Sequence, residues 1–150
     1  MTALVLPPGI GFVAGGYLST AFLLVFQFMT VGSYRKGSGV EYPRLYAEKA
    51  EMASNVNAVK FNCAQRAHAN TLENIPIVWS LTGIVSLQYP TFAASLLTAW
   101  SFARVFYTLG YVTGDPKKRT NFASALHYPI LLTLLGTATW TVAKLISLGI

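Results

Sequence analysis

Four stretches of the chain, roughly residues 10–31, 70–87, 92–112 and 122–148, are apolar for the length a helix needs to cross a bilayer, and polar residues collect between them. A spanning helix takes about 20 mostly apolar residues at about 1.5 Å each. The pattern therefore predicts an all-α membrane protein, a four-helix transmembrane bundle forming one domain over residues 1–150. Helix one is apolar and aromatic almost throughout, which gives it a packing role, and Gly11, Gly15 and Gly16 would let another helix approach closely. Helix two is predicted to start at Phe61, ahead of the membrane, and to reach Gln88. At about 1.5 Å per residue that is roughly 40 Å, so its first turns should project from the hydrocarbon. Pro76 and Pro129 are candidate kinks, and Gly114, Asp115 and Pro116 stop helix three. Between Tyr34 and Gln65 a turn-prone run, Arg35 to Gly39, opens a connection that reads as a long loop at the interface.

Composition supports this reading and charge orients it. The chain is 53% hydrophobic and only 11% charged, and its mean hydropathy of +0.48 lies outside the ordinary soluble range. Residues 1–9 carry no lysine or arginine, and the apolar run behind them is too long for a cleavable signal core, so the first segment should remain as a helix. The net charge is +6. Arg35, Lys36, Arg44, Lys49 and Lys60 fall in the first connection and Lys117, Lys118 and Arg119 in the third, whereas residues 88–91 have no charge. By the positive-inside rule the first and third connections face the cytosol and both termini the lumenal side. No basic stripe is interleaved with aromatics, which argues against a nucleic-acid partner. Cys63 is the single cysteine, and no Cys, His and carboxylate set has ligand spacing, so no metal is expected.

The chemistry concentrates on two helices. Arg104 sits in the middle of the third apolar segment, where an unpaired guanidinium costs several kcal/mol, and Tyr107 and Tyr111 follow on the same face. Arg66, Asn70 and Glu73 stand at offsets of zero, four and seven on helix two, a polar stripe of cation, amide and anion. Such a stripe suits a zwitterion, with carboxylates near arginine and an ammonium near glutamate. The competing reading is that Glu73 neutralises Arg66 or Arg104 and glues the helices together. His68 is two positions from Arg66 and faces elsewhere, and His127 stands alone.

The run from Phe61 through Asn62, Cys63, Ala64, Gln65, Arg66, Ala67, His68, Ala69, Asn70, Thr71 and Leu72 to Glu73, then Arg104 to Tyr111 and Thr113 to Pro116, resembles the MAPEG family, the membrane-associated proteins in eicosanoid and glutathione metabolism. The motifs cover residues 40–119, and hydropathy and length cover the rest. The resemblance implies a homotrimer of four-helix subunits, with glutathione as co-substrate at each subunit interface. Arg66, Asn70 and Glu73 would bind it from one subunit and Arg104, Tyr107 and Tyr111 from its neighbour. An arginine after the tyrosine motif stabilises the glutathione thiolate in this family. Arg119 is the candidate here, with Lys118 the alternative one residue away, and Arg35 resembles a further basic position that helps hold glutathione.

The resemblance implies a glutathione transferase and peroxidase acting on hydrophobic electrophiles and lipid hydroperoxides that arrive through membrane lipid. Asn74 stands where the leukotriene-synthase branch has a tyrosine, which favours a transferase over a dedicated leukotriene-C synthase. A non-enzymatic trimeric scaffold or adaptor is the second hypothesis, and a dedicated leukotriene or prostaglandin synthase the third. The membrane expected is that of the endoplasmic reticulum, with the outer mitochondrial membrane second.

Overall fold

The computed structural model describes residues 8–149. Expectations about residues 1–7, the lack of a cleavable signal and the lumenal side of the N-terminus, lie outside the described residues. Four long helices pack side by side: α1 (Ile10–Ser38), α3 (Val56–Ser86), α4 (Pro90–Tyr111) and α6 (His127–Ser147). Short elements fill the connections, with α2 (Lys49–Ser54) before α3, a 3-10 turn (Pro116–Arg119) after α4, and α5 (Phe122–Ala125) leading into α6.

Two segments, Ile10–Ser38 and Phe122–Ser147, are long and apolar enough to cross a membrane. Their large side chains point outward: Phe12, Phe22, Phe28 and Met29 on α1, and Leu132, Trp140 and Ile146 on α6, are exposed. An apolar exterior of this extent suits lipid or a subunit neighbour better than water. Of the four spans expected, α3 and α4 fall short of the same criterion, because they carry the polar residues of the seam, Arg66, Asn70, Glu73 and Arg104.

The long connection after α1 differs from its expected form. Helix α1 continues seven residues past Val31, through the run expected to be a turn, because the break comes only at Gly39, whose φ of 75° a side chain would resist. Arg35 and Lys36 thereby fall in its last turn, where cations complement the helix carbonyl end. Helix α3 begins at Val56, five residues before Phe61, capped by Asn55, whose side chain accepts from the Asn57 N–H at 2.9 Å. Between them α2 starts on a reciprocal cap of Glu48 and Glu51. Glu51 also takes both arms of Arg44 at 3.0 Å, and these bonds, first from Arg44 and then from the Glu48 N–H, hold its carboxyl below the usual range.

Prolines and glycines mark where helices pass and stop. Helix α3 is unbroken through Pro76. Pro129 lies in the first turn of α6, where no intrahelical donor is needed. Of Gly11, Gly15 and Gly16, expected to admit a helix, Gly16 alone does so, with the Ala94 backbone 3.3 Å from where its Cβ would stand, whereas Gly11 and Gly15 face open space. The core lies between the four helices, on Leu23, Ile75, Val78, Val85, Leu97, Trp100 and Leu134.

The contacts at each end give the layout. Gly9, before α1, meets Pro90 at the start of α4, whereas Gly37 meets Asn57 and Gly114 meets Lys60. Both basic connections therefore share the end of the molecule opposite the α3–α4 turn. At that end α4 and the 3-10 turn approach so closely that a Cβ on Gly110 would fall inside the Lys118 carbonyl. Gly110→Ala should therefore destabilise the protein by about 1–3 kcal/mol, read as a lower midpoint of thermal unfolding in detergent. An unchanged midpoint would mean that the turn does not pack on α4.

Candidate functional site

Arg104 is 1% exposed. Its position follows from α4 packing against both α1 and α3, which leaves that face no route to water. The side chain reaches toward α3, where Nη2 donates to Asn70 Oδ1 at 2.9 Å and to Thr71 Oγ1 at 2.9 Å, and Nε donates to Thr71 Oγ1 at 3.2 Å. The guanidinium carbon lies 4.0 Å from the centre of the Tyr107 ring, a cation–π contact on the same helix. No carboxylate reaches it, since the ion pairs among the described residues are Arg44–Glu51 and Arg66–Glu73. A buried cation held only by neutral groups is strongly disfavoured until an anion arrives.

From Arg104 a continuous set of contacts runs both ways. Asn70 Nδ2 donates to Glu73 at 3.5 Å, and Glu73 takes Arg66 Nη1 at 2.8 Å. The Arg66–Glu73 pair is about half exposed, 47% and 53% by side chain, and so is weak enough in water to exchange for a ligand's own charges. In the other direction Tyr107 stands edge-on to Tyr111 at 5.6 Å between ring centres, and Arg119 lies over the Tyr111 ring at 5.6 Å. Arg66, Asn70, Glu73, Arg104, Tyr107, Tyr111 and Arg119 thus join within one chain. Within this chain Asn70 and Thr71 take the Arg104 donors.

Arg119 is delivered by the close packing at Gly110 and by the turn itself. Asp115 caps that turn by accepting the Lys117 N–H at 3.0 Å, Arg119 Nη1 donates to the Pro116 carbonyl at 2.6 Å, and Ser124 Oγ donates to the Arg119 carbonyl at 2.8 Å. Lys118 is exposed and contributes its backbone to the packing. A groove of about 250 Å³ opens beside this turn, lined among others by Arg66, Tyr111, Pro116 and Cys63.

The MAPEG family model matches residues 13–140, reaching from α1 into α6 and enclosing every residue of the contact set. The chain belongs to the MAPEG family. That family includes glutathione transferases, peroxidases and leukotriene synthases, and some members that are not glutathione-dependent enzymes. Family membership together with the two long apolar helices makes this a membrane protein.

One residue carried over from the MAPEG pattern stands apart. Among the described residues Arg35 has no hydrogen bond or ring contact with the contact set around Arg104. It is 8% exposed, its Nη1 donates to the carbonyls of Val40 and Arg44, and its guanidinium sits between the rings of Tyr42 and Phe61. His68 turns away from the groove toward α1, with Nδ1 3.4 Å from Gln27 Oε1.

Two residues of the site were missed in the sequence. Helix one looked like packing alone, yet Gln27 is fully buried, and its Nε2 donates to Thr71 and Thr108, each at 2.8 Å. Thr108 in turn donates to the Arg104 carbonyl at 2.9 Å. Gln27 therefore locks α1, α3 and α4 around the arginine of the MAPEG motif. The available signal was an amide alone among apolar residues, and the same cost argument used for Arg104 applies to it. His127, read as solitary, is buried against Tyr107 at 6.0 Å between rings, with Nδ1 on the Ser124 carbonyl.

Gln27→Leu removes the donor that two buried hydroxyls share, so it should destabilise the detergent-solubilised protein by about 1–3 kcal/mol. Chemical denaturation measures this, and a variant as stable as wild type would remove Gln27 from the account.

Proposed function

We propose that the chain is a glutathione transferase with glutathione peroxidase activity on hydrophobic electrophiles and lipid hydroperoxides, and that within its family it stands nearest the type-3 microsomal glutathione transferases. The observation that carries this reading is Arg104, buried with no carboxylate in reach and joined through side chains to Arg66, Glu73 and Arg119. Glutathione has two carboxylates and one ammonium, the complement of two arginines and a glutamate. Arg104 and Arg66 would take the carboxylates and Glu73 the ammonium. Asn70, Tyr107 and Tyr111 would supply neutral hydrogen bonds between them. The ligand would bring Arg104 the anion its own chain does not.

Catalysis then needs a thiolate, and Arg119 is the cation at the end of the contact set. A guanidinium beside the thiol stabilises its ionised form and lowers its pKa toward neutrality. In conjugation the sulfur lone pair forms the carbon–sulfur bond while the electrophile's leaving group, or the neighbouring atom of its double bond, takes the displaced electron pair and a proton. In peroxide reduction the thiolate attacks the outer oxygen and the O–O bond breaks. The alkoxide takes a proton to become the alcohol, and a second glutathione reduces the glutathione sulfenic acid, giving the disulfide and water.

The same reading includes four membrane spans, a homotrimer, lumenal termini and a groove open to the cytosol. The membrane would be that of the endoplasmic reticulum, with the outer mitochondrial membrane second. Two features support the orientation: both basic connections lie at one end, and the groove is at that end beside Arg119. Apolar exteriors on α1 and α6 offer hydrophobic substrates a path from lipid. Asn74 donates to the Asn70 carbonyl at 2.7 Å, spending on its own helix the position that is tyrosine in the synthase branch.

Calorimetry of the detergent-purified protein should give saturable heat with glutathione, and absence of binding would sink the proposal. Arg119→Ala should keep that binding yet slow conjugation at neutral pH by about tenfold or more, one pKa unit of lost thiolate. Full activity in that variant would move the role to Lys118.

A further inference from the structure

Residues 39–55 are fastened to α1 and α3 more firmly than a simple connection requires. The Asn62 side chain acts as a strand neighbour to Ala47: Oδ1 accepts from its N–H at 2.7 Å, and Nδ2 donates to its carbonyl at 2.9 Å. Arg35 Nη1 holds the same segment through the carbonyls of Val40 at 3.2 Å and Arg44 at 2.8 Å, with the Tyr42 and Phe61 ring centres 4.2 and 4.4 Å from its guanidinium carbon. Asn55 Nδ2 ties the far end to the Ser38 carbonyl at 3.1 Å. Val40 and Ala47 are buried beneath, against Ala58 and Phe61.

Fixed in this way, the segment contributes Tyr46 and Met52 to the wall of the groove that also contains Arg66 and Tyr111. Tyr46 and Arg66 line the same groove, so the phenol and the guanidinium face one cavity. A carboxylate seated on a guanidinium fork keeps lone pairs free for further donors. A phenol at the rim of that fork, carried on a strap that cannot drift, is placed to supply one.

We propose that Tyr46 is a further ligand-binding residue, donating its hydroxyl to the glutathione carboxylate held by Arg66, and that Arg35 is a positioning residue that acts on glutathione through the strap. The inference rests on the glutathione reading of the site. It replaces direct contact by Arg35 with a mechanical role, and it predicts coupling between two residues, one buried and one at the groove.

Calorimetry with glutathione on the full-length detergent-solubilised protein tests it. Tyr46→Phe should weaken binding about tenfold, the range for a hydrogen bond to a charged group, with an unchanged unfolding midpoint. Arg35→Met should weaken binding by a similar factor, and the double variant should bind no more weakly than the weaker single one, since both act at one contact. Multiplying effects, about a hundredfold in the double variant, would make Arg35 a direct ligand and overturn its positioning role. Unchanged affinity in Tyr46→Phe would overturn the proposal even where wild type binds well. Failure of wild type to bind would instead remove the glutathione reading itself. A readout needing no variant is amide exchange in residues 39–55 of wild type, which should slow on adding glutathione; unaltered exchange there would also overturn the proposal.

Discussion

A guanidinium enclosed by helices with no carboxylate in reach is the constraint around which this molecule is built. Arg104 is almost wholly buried, yet its partners are an amide, a hydroxyl and an aromatic ring. These neutral groups direct the side chain without neutralising it. Retaining an uncompensated cation in such a place makes physical sense when a ligand brings the missing charge, because the cost then becomes part of the affinity.

The surrounding architecture serves that one residue at several distances. Gln27 from α1 spans the threonines of α3 and α4 and keeps the three helices in register around the charge. At the end of α4 the absence of a side chain on Gly110 lets the following turn close in, which brings Arg119 over Tyr111. On the opposite wall of the groove the strap between α1 and α3 is pinned by Arg35 and Asn62. Rigid helices supply the buried members of the site and the half-exposed Arg66–Glu73 pair, and a pinned connection supplies Arg119, so the charged groups are set before a ligand arrives.

Much of this was legible in the sequence because charge in an apolar segment has few explanations. Offsets of three, four and seven residues put Arg66, Asn70 and Glu73 on one stripe and Tyr107 and Tyr111 behind Arg104, and the contacts among them follow those spacings. What spacing cannot give is which helix faces which. It left Gln27 as one polar residue in a packing helix and His127 as solitary, since the Gln27 partners and the Tyr107 ring beside His127 lie tens of residues away. Local turn propensity also misjudged the end of α1. Residues 35–38 look like a turn, but burial of Arg35 and Ser38 against the strap carries the helix on to Gly39.

Thermal unfolding of the detergent-solubilised protein and of its Arg104→Met variant, each with and without glutathione, decides whether the buried guanidinium binds ligand or holds the helices together. Replacing an uncompensated buried charge by an apolar side chain of similar length should leave the ligand-free protein as stable or stabilise it, by up to about 1–4 kcal/mol. Glutathione at about a hundred times its dissociation constant should then stabilise wild type by about 2.7 kcal/mol and the variant hardly at all. A variant that unfolds well below wild type without ligand, and gains as much from glutathione, would show that Arg104 holds the helices together and does not bind.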